Sequence, residues 1–395
     1  MDLANLRVTV VGAATGGAAT ALLLARAGAQ VTLLERVAEP RAIGAGLGLA
    51  DNGLAVLEAL GLGPALERRS RPVGAPRIVD GRGRPIFAPS GPPPRVRMVR
   101  RSDLQGLLLD ALAAEPRVDA RFGVEVESAT PDGRVRSRRG ADALAWAADL
   151  VVGADGVHSR GRDGGRFGAR VRPPGIPYLR ALVESGGALG EEAWTPAGLF
   201  GSFAVDGGVY LYASAGSTRT RAALAARDLA ALRAAWAEAY PASAPLLAAS
   251  ARFDDLVIHP VRRVDCACWS DGRLVLVGDA AHAMAPNLGQ GANSALVDAA
   301  VLLDELRRAG DLPAALAAYQ ARRRPAVRWV ADAAARLGAL AEWKHPLARA
   351  LRDRLLMPAV ARLGATGDVG RVLQESRATL LAIGRAPGGG VAAAT

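Results

Sequence analysis

Two stretches far apart in the chain constrain its fold more than anything else: VTVVGAATGG from Val8, and LVLVGDAAHAMAPNLGQGAN from Leu274. The first follows an apolar run of strand length, Leu6–Val11, into a glycine turn, Gly12–Gly17, and a helix, Ala18–Ala27. That helix stops at Gly28, where a left-handed cap is expected. A second apolar run, Gln30–Leu34, ends at Glu35. This is a βαβ unit that sets backbone N–H groups and a helix N-terminus against a pyrophosphate. A carboxylate at the end of its second strand can accept hydrogen bonds from ribose hydroxyls. The stretch from Leu274 repeats the idea: a β-branched strand, a Gly278-Asp279 turn and a glycine-rich helix start. Two such turns predict a chain that holds a long dinucleotide at both ends.

At 395 residues there is room for two or more domains around a large core. Half the residues are hydrophobic but only 4% are aromatic, so Ala, Leu and Val must fill most of the interior. The net charge of +11 rests almost wholly on arginine, with a single lysine at Lys344. The arginines are scattered, no aromatic residues interleave with them, and no nucleic-acid motif accompanies them, which argues against a nucleic-acid partner. Cys266 and Cys268 have no second cysteine pair and no nearby histidine, so no metal site is expected and both read as small buried residues. No signal-like segment precedes the first strand and no apolar run approaches membrane-spanning length, so a cytoplasmic protein without a membrane partner is expected.

The segment Arg71–Pro94 reads as short strands and turns, and Ser102 is a plausible N-cap for a helix Asp103–Ala113. Pro173–Pro260 alternates mostly as strand, with a helical insertion at Ala222–Tyr240, and the pattern is helical from Ala292 to about Val360. The expected architecture is α/β: a Rossmann-like domain from 1–70, 98–165 and 264–335, an inserted β-sheet domain from 71–97 and 166–263, a helical segment at 336–385 and a disordered tail at 386–395.

Four blocks then occur in order: the turn Gly12–Gly17 with Glu35; Arg101-Ser-Asp-Leu; DLVVGADGVHSR from Asp149; and Gly278-Asp-Ala-Ala-His followed by Gly289-Gln-Gly-Ala-Asn. In these the chain resembles the single-component FAD-dependent aromatic hydroxylases, such as p-hydroxybenzoate, salicylate and urate hydroxylases, over roughly residues 5 to 340. The resemblance implies FAD, NAD(P)H as a transient co-substrate and O2, with oxygen transferred from a flavin C4a-hydroperoxide to an aromatic or polyketide-like small molecule. It places Gly12, Ala14, Thr15, Gly16 and Gly17 on the pyrophosphate, and Glu35 and Arg36 by the adenosine ribose. Arg101 falls near the phosphate-ribose region and Asp279, after Gly278, on the ribityl chain or pyrophosphate. Asp155 and Gly156 belong to a motif tied to both FAD and NAD(P)H. Pro286, Gly289, Gln290, Gly291, Ala292 and Asn293 fall beside the isoalloxazine, where N–H groups stabilise negative charge on reduced flavin.

Within the β-rich middle, His259, Tyr210, Tyr212 and Arg180 are candidates to orient a substrate. His158 and His282 read as loop-fixing residues. The scarcity of aromatics predicts an aliphatic-walled pocket for a bulky apolar substrate. Four positions depart from the family pattern: Ala14 for the middle glycine, Ala283 for a proline, Asp51 before Asn52, and Leu211 for a tryptophan. They motivate an alternative, a relative with weakened FAD use catalysing a non-redox cyclisation or dehydration. Flavin halogenation is excluded because no two tryptophans are two apart and Lys344 is remote. A monomer or homodimer is expected.

Overall fold

The two glycine motifs converge because their strands lie in one sheet. The computed structural model describes residues 1–39, 45–75, 77–88, 93–173, 175–185, 187–250, 252–362 and 368–384. Six strands run in the order Ser270–Asp271, Leu274–Leu276, Leu150–Gly153, Arg7–Val11, Gln30–Glu35, Val118–Phe122. All pair in parallel except the hairpin partner Ser270–Asp271. Parallel strands covered on both faces need near-continuous apolar runs. Val8, Val10, Leu33, Leu150, Val151, Val152, Leu274, Val275 and Leu276 supply them and are all buried.

Helices Thr15–Arg26 and Gly291–Arg308 pack on this sheet through Ala, Leu and Val. Each fully buried Leu or Val contributes about 1.5–3 kcal/mol, which makes an aromatic-poor core sufficient. The second helix continues through Leu312–Ala341 and the shorter helices Pro346–Leu351, Met357–Arg362, Asp368–Leu373 and Arg377–Gly384.

A seven-stranded sheet forms the second layer, in the order Val257–Pro260, Pro177–Val183, Gly208–Ser214, Gly198–Val205, Glu192–Thr195, Ile78–Asp80, Pro85–Phe87. Its two faces differ. Leu179, Ala181, Val183, Phe200, Val209, Leu211 and Ala213 are buried against Leu232, Trp236, Tyr240 and Leu247 of a helical cover. Strand alternation therefore sends Tyr178, Arg180, Tyr210, Tyr212 and Glu192 to the opposite face, and the register sets Arg180 beside Tyr212 and Glu192 two strands away, opposite Gly201.

Several expectations are corrected. The helix after the Val96–Arg100 strand is Arg101–Ala113, starting before Ser102, and has no side-chain cap. The helical insertion is two helices, Thr218–Ala225 and Leu229–Ala239, broken where Arg227 takes φ 53° and Asp228 caps the second helix through the Ala231 N–H. Cys266 is buried, its thiol pushed up to about 11 by burial, but Cys268 is exposed. The tail 386–395 lies outside the described residues. Among them, no helix is long and apolar enough to cross a membrane.

Candidate active site

A helix beginning without a cap leaves its first N–H groups without partners, and two such helices start at the glycine turns. Thr15–Arg26 follows Ala14, and Gly291–Arg308 follows Gln290; neither has a side-chain cap or an acidic residue in its first turn. The positive helix ends are thus left for an anion or a carbonyl oxygen. Gly12 takes φ +98°, and a Cβ there would lie 2.6 Å from the Ala154 oxygen; one at Gly17 would lie 1.9 Å from the Gly12 oxygen. Bare backbone is obligatory at both. Ala295 joins the motifs, because its Cβ is 3.0 Å from where a Cβ would stand on either Gly16 or Gly278.

Charged side chains stand around these turns. Asp279 is exposed and makes no hydrogen bond among the described residues. Arg101 reaches solvent at the rim yet is walled by protein, and its guanidinium is held below its usual range by burial and by repulsion from Arg180, against the pull of Tyr210 and Asp279. Glu35 is half-buried, its Oε2 accepting from the Ala13 N–H at 2.8 Å and Oε1 from the Val37 N–H at 2.9 Å. Lone pairs remain on both oxygens for a ribose hydroxyl. Asp155 is spent on its own loop: it accepts from Ser159 Oγ at 2.5 Å, from the Arg160 N–H at 2.7 Å and from the Gly161 N–H at 3.2 Å. Gly156 beside it takes φ +77°. Arg36 is exposed on the rim, and His158 is exposed as well.

The second glycine motif turns twice. Pro286–Leu288 forms a short 3-10 turn, closed by Gly289 at φ +62°, before the helix starts. Asn293 is fully buried and its side chain is committed: Oδ1 accepts from the Ala50 N–H at 3.0 Å, while Nδ2 donates to Gly48 and Gly289 oxygens at 3.1 and 2.8 Å. Only its backbone is left for a cofactor. His282 Nε2 lies 2.5 Å from Asp298 Oδ2.

Facing this loop is the polar side of the seven-stranded sheet. Asn287 Nδ2 donates to the Tyr178 hydroxyl at 3.1 Å, tying the sheet to the loop. Tyr210 is buried and accepts a hydrogen bond from Arg180; burial raises its pKa while Arg180 and Arg101 lower it. Tyr212 donates to Glu192 Oε2 at 2.6 Å, and Trp194 Nε1 donates to Glu192 Oε1 at 2.6 Å. Burial raises the Glu192 carboxyl against these two donors, and raises the Tyr212 phenol well above its usual value. Two glycines seat the rings: a Cβ on Gly46 would meet Tyr210 at 2.4 Å, and one on Gly201 would meet Tyr212 at 2.4 Å. Phe203 stacks on Tyr212 with centroids 6.2 Å apart. This face is not aliphatic: three of the five tyrosines lie on it. His259 pairs with Tyr178 through its backbone, and its side chain lies outside the described residues.

Three of the four departures from the family pattern fit the backbone without strain. Ala14 has φ −69° and is exposed, so its methyl needs no positive φ and meets no wall. Ala283 has φ −51°, close to what a proline ring would impose. Leu211 faces the helical cover, away from the cleft. Sequence reasoning missed Tyr178, Glu192, Asn287, Asp298 and Arg323. A buried acid in an otherwise apolar helix, ALVDAAVLL, was the available signal for Asp298.

Residues 5–169 and 220–334 match the FAD binding domain family. The chain belongs to the FAD-dependent aromatic monooxygenases. It is 33% identical to kynurenine 3-monooxygenase of Salinispora arenicola, across 90% of this chain and 85% of that one. It is 33% identical to 3-amino-4-hydroxybenzoate 2-monooxygenase PtmB3 of Streptomyces platensis, across 90% and 93%. Among solved structures, HpxO of Klebsiella pneumoniae with FAD and uric acid superposes with a TM-score of 0.78 at 25% identity, covering 96% and 97%. This monooxygenase thus uses FAD, and the glycine cradle, the two uncapped helices and the exposed Asp279 suit such a group.

Proposed function

We propose that this monooxygenase uses NAD(P)H and O2 to insert one oxygen atom into a polar aromatic small molecule held between the Pro286–Leu288 turn and the tyrosine face of the sheet. FAD, when bound, supplies the activation of O2. The chain's own residues bind, orient and exclude water. Gly12, Thr15, Gly16 and Gly17 give backbone N–H groups to the pyrophosphate, Glu35 and Arg36 the adenosine ribose, and Asp279 the ribityl hydroxyls. The N-terminus of Gly291–Arg308 sets a positive end toward the isoalloxazine, where reduction places negative charge.

The observation that carries the substrate class is the polarity of the sheet face. Arg180, hydrogen-bonded to Tyr210 and next to Tyr212 in the register, is a donor fork suited to a carboxylate or an enolic oxygen. Tyr178 and Tyr210 would sandwich or edge an aromatic ring. Carboxylates or polar rings occur in the substrates for which several relatives are named, including 3-amino-4-hydroxybenzoate, and 2-aminobenzoylacetate is the molecule solved with PqsL of P. aeruginosa, 26% identical at a TM-score of 0.73. The altered glycine and proline positions give no support to cofactor-free chemistry.

The test is an absorbance spectrum of the purified protein with FAD, then NADPH oxidation under air with an aromatic acid such as 3-amino-4-hydroxybenzoate, and separately with an alkylquinolone. Flavin bleaching accelerated by the aromatic acid is expected. Acceleration by the alkylquinolone alone would refute the polar-substrate reading, and a protein that ignores FAD would refute the redox reading.

A further inference from the structure

The helix Gly291–Arg308 carries a carboxylate in the middle of its buried face. Asp298 lies about two turns below the uncapped N-terminus and is fully buried. Its Oδ2 accepts from the Gly278 N–H at 2.9 Å and lies 2.5 Å from His282 Nε2. Its Oδ1 accepts from Arg323 Nε at 2.8 Å. Burial opposes its charge, but His282 and Arg323 outweigh that and hold it at about 2. Arg323 is itself fully buried, and from Nη2 it donates to Gln374 Oε1 at 2.6 Å. Gln374 donates back to Ser294 Oγ at 2.8 Å, in the first turn of the helix that bears Asp298. It does so from φ 66°, a left-handed backbone that a non-glycine residue adopts only under strain.

Both groups that Asp298 takes from the neighbouring turn flank Asp279. Gly278 precedes it, at φ 60°, and His282 closes the single helical turn Asp279–His282, which has no side-chain cap of its own. One carboxylate therefore locks together the Asp279 turn and the helix whose N-terminus faces the flavin. A second strut leaves the same C-terminal segment: Asn52 Nδ2 donates to the Leu373 oxygen at 2.8 Å and to Gln290 Oε1 at 3.2 Å, at the start of that helix.

We propose that Asp298 is a positioning residue for FAD, fixing the Asp279 turn against the flavin-facing helix, and that Gln374 couples the docked segment 368–384 to that lock through Arg323. Neither residue touches the cofactor. The role presupposes FAD in the cleft, and its loss is read first as weaker FAD binding.

Apoprotein of each variant would be titrated with FAD, following quenching of flavin fluorescence, with far-UV circular dichroism and melting of the apoprotein in parallel. Gln374→Ala is expected to weaken FAD binding about tenfold, and Asp298→Asn by more, within the range of couplings carried by supporting residues. Gln374→Glu keeps an acceptor for Arg323 and is expected to stay within about threefold of wild type. If Asp298→Asn does not fold, the Gln374 pair alone decides. Variants that melt earlier but bind FAD as tightly as wild type would overturn the role, leaving Asp298 a packing residue. Wild-type apoprotein that takes up no FAD would instead defeat the cofactor assignment, and this role with it.

Discussion

The two walls of the cleft are made of opposite materials. The side proposed for the dinucleotide is backbone: Gly12, Gly16, Gly17 and Gly278, and two helix ends without caps. The sheet side is side chains: Tyr178, Arg180, Tyr210, Tyr212 and Glu192, spread over three strands. Backbone recognition forbids side chains at fixed spacings, so it writes a dense local pattern into the sequence. Side-chain recognition needs only one outward residue per strand, and period-2 alternation hides each among ordinary sheet residues.

If the first wall is backbone, a single methyl should break it. Gly17→Ala places a Cβ 1.9 Å from the Gly12 oxygen and 3.1 Å from the Ala154 Cβ, where the nearest atoms are main chain and cannot rotate away. The expected cost is about 3 kcal/mol or more, at the upper end for overpacking. The purified variant should melt markedly earlier and carry no flavin absorbance near ~450 nm. A flavin-loaded protein of wild-type stability would show that this turn is not the tight one described.

One side chain is expected to matter on that wall. Asp279 is exposed and, beyond its pull on Arg101, meets no hydrogen-bond partner among the described residues, so Asp279→Ala is expected to leave the fold intact. Losing a carboxylate that accepts from the ribityl hydroxyls predicts roughly 10- to 100-fold weaker FAD binding. Circular dichroism should be unchanged while the flavin-to-protein absorbance ratio falls. Full flavin occupancy would remove Asp279 from the cofactor site.

The opposite wall should fail in the opposite way. Arg180→Gln leaves the glycine cradle intact, so flavin content is expected to stay at wild-type level. The KM for an aromatic acid should rise about 10-fold or more, as a charge-assisted donor is lost. Loss of flavin together with activity would mean that Arg180 serves the cofactor, as its proximity to Arg101 permits, and would blur the division between walls.

How much of this the sequence held follows the same division. The strand-turn-helix from Arg7 to Arg26, the Glu35 terminus and the Gly278–Asp279 turn were readable because periodicity and glycine spacing are local. The tyrosine face was not, because its members meet only through antiparallel pairing of strands up to thirty-odd residues apart, and composition averaged the aromatics away. Leu211 misled for the same reason: read along the strand it lies between Tyr210 and Tyr212, but its face is the other one. Asp298 and Gln374 were invisible as partners, since Arg323 joins them from a third helix.

The smallest expected effect separates the walls by acid titration of one carboxyl in each, Asp298 fully buried and Glu192 half-buried. Asp298 is depressed from 3.8 to about 2, so the folded state releases its proton more readily than the unfolded chain. Its stabilisation is present above the unfolded value and lost as pH falls toward about 2, and a shift of that size is worth about 2 kcal/mol. Glu192 is displaced the other way by burial, which the Tyr212 and Trp194 donors offset only in part. Its folded form holds the proton more tightly, so its contribution is greatest below the unfolded value and declines as pH rises through the folded one. The stability gap between wild type and Asp298→Asn should therefore widen as pH is raised from about 2 to 5, whereas the gap for Glu192→Gln should narrow as pH rises past about 4. Denaturant melts of the apoproteins across that range measure both slopes. Slopes of the same sign would mean that the Tyr212 and Trp194 hydrogen bonds outweigh burial at Glu192, and that the sheet wall holds a carboxylate as firmly ionised as the one beneath the Asp279 turn.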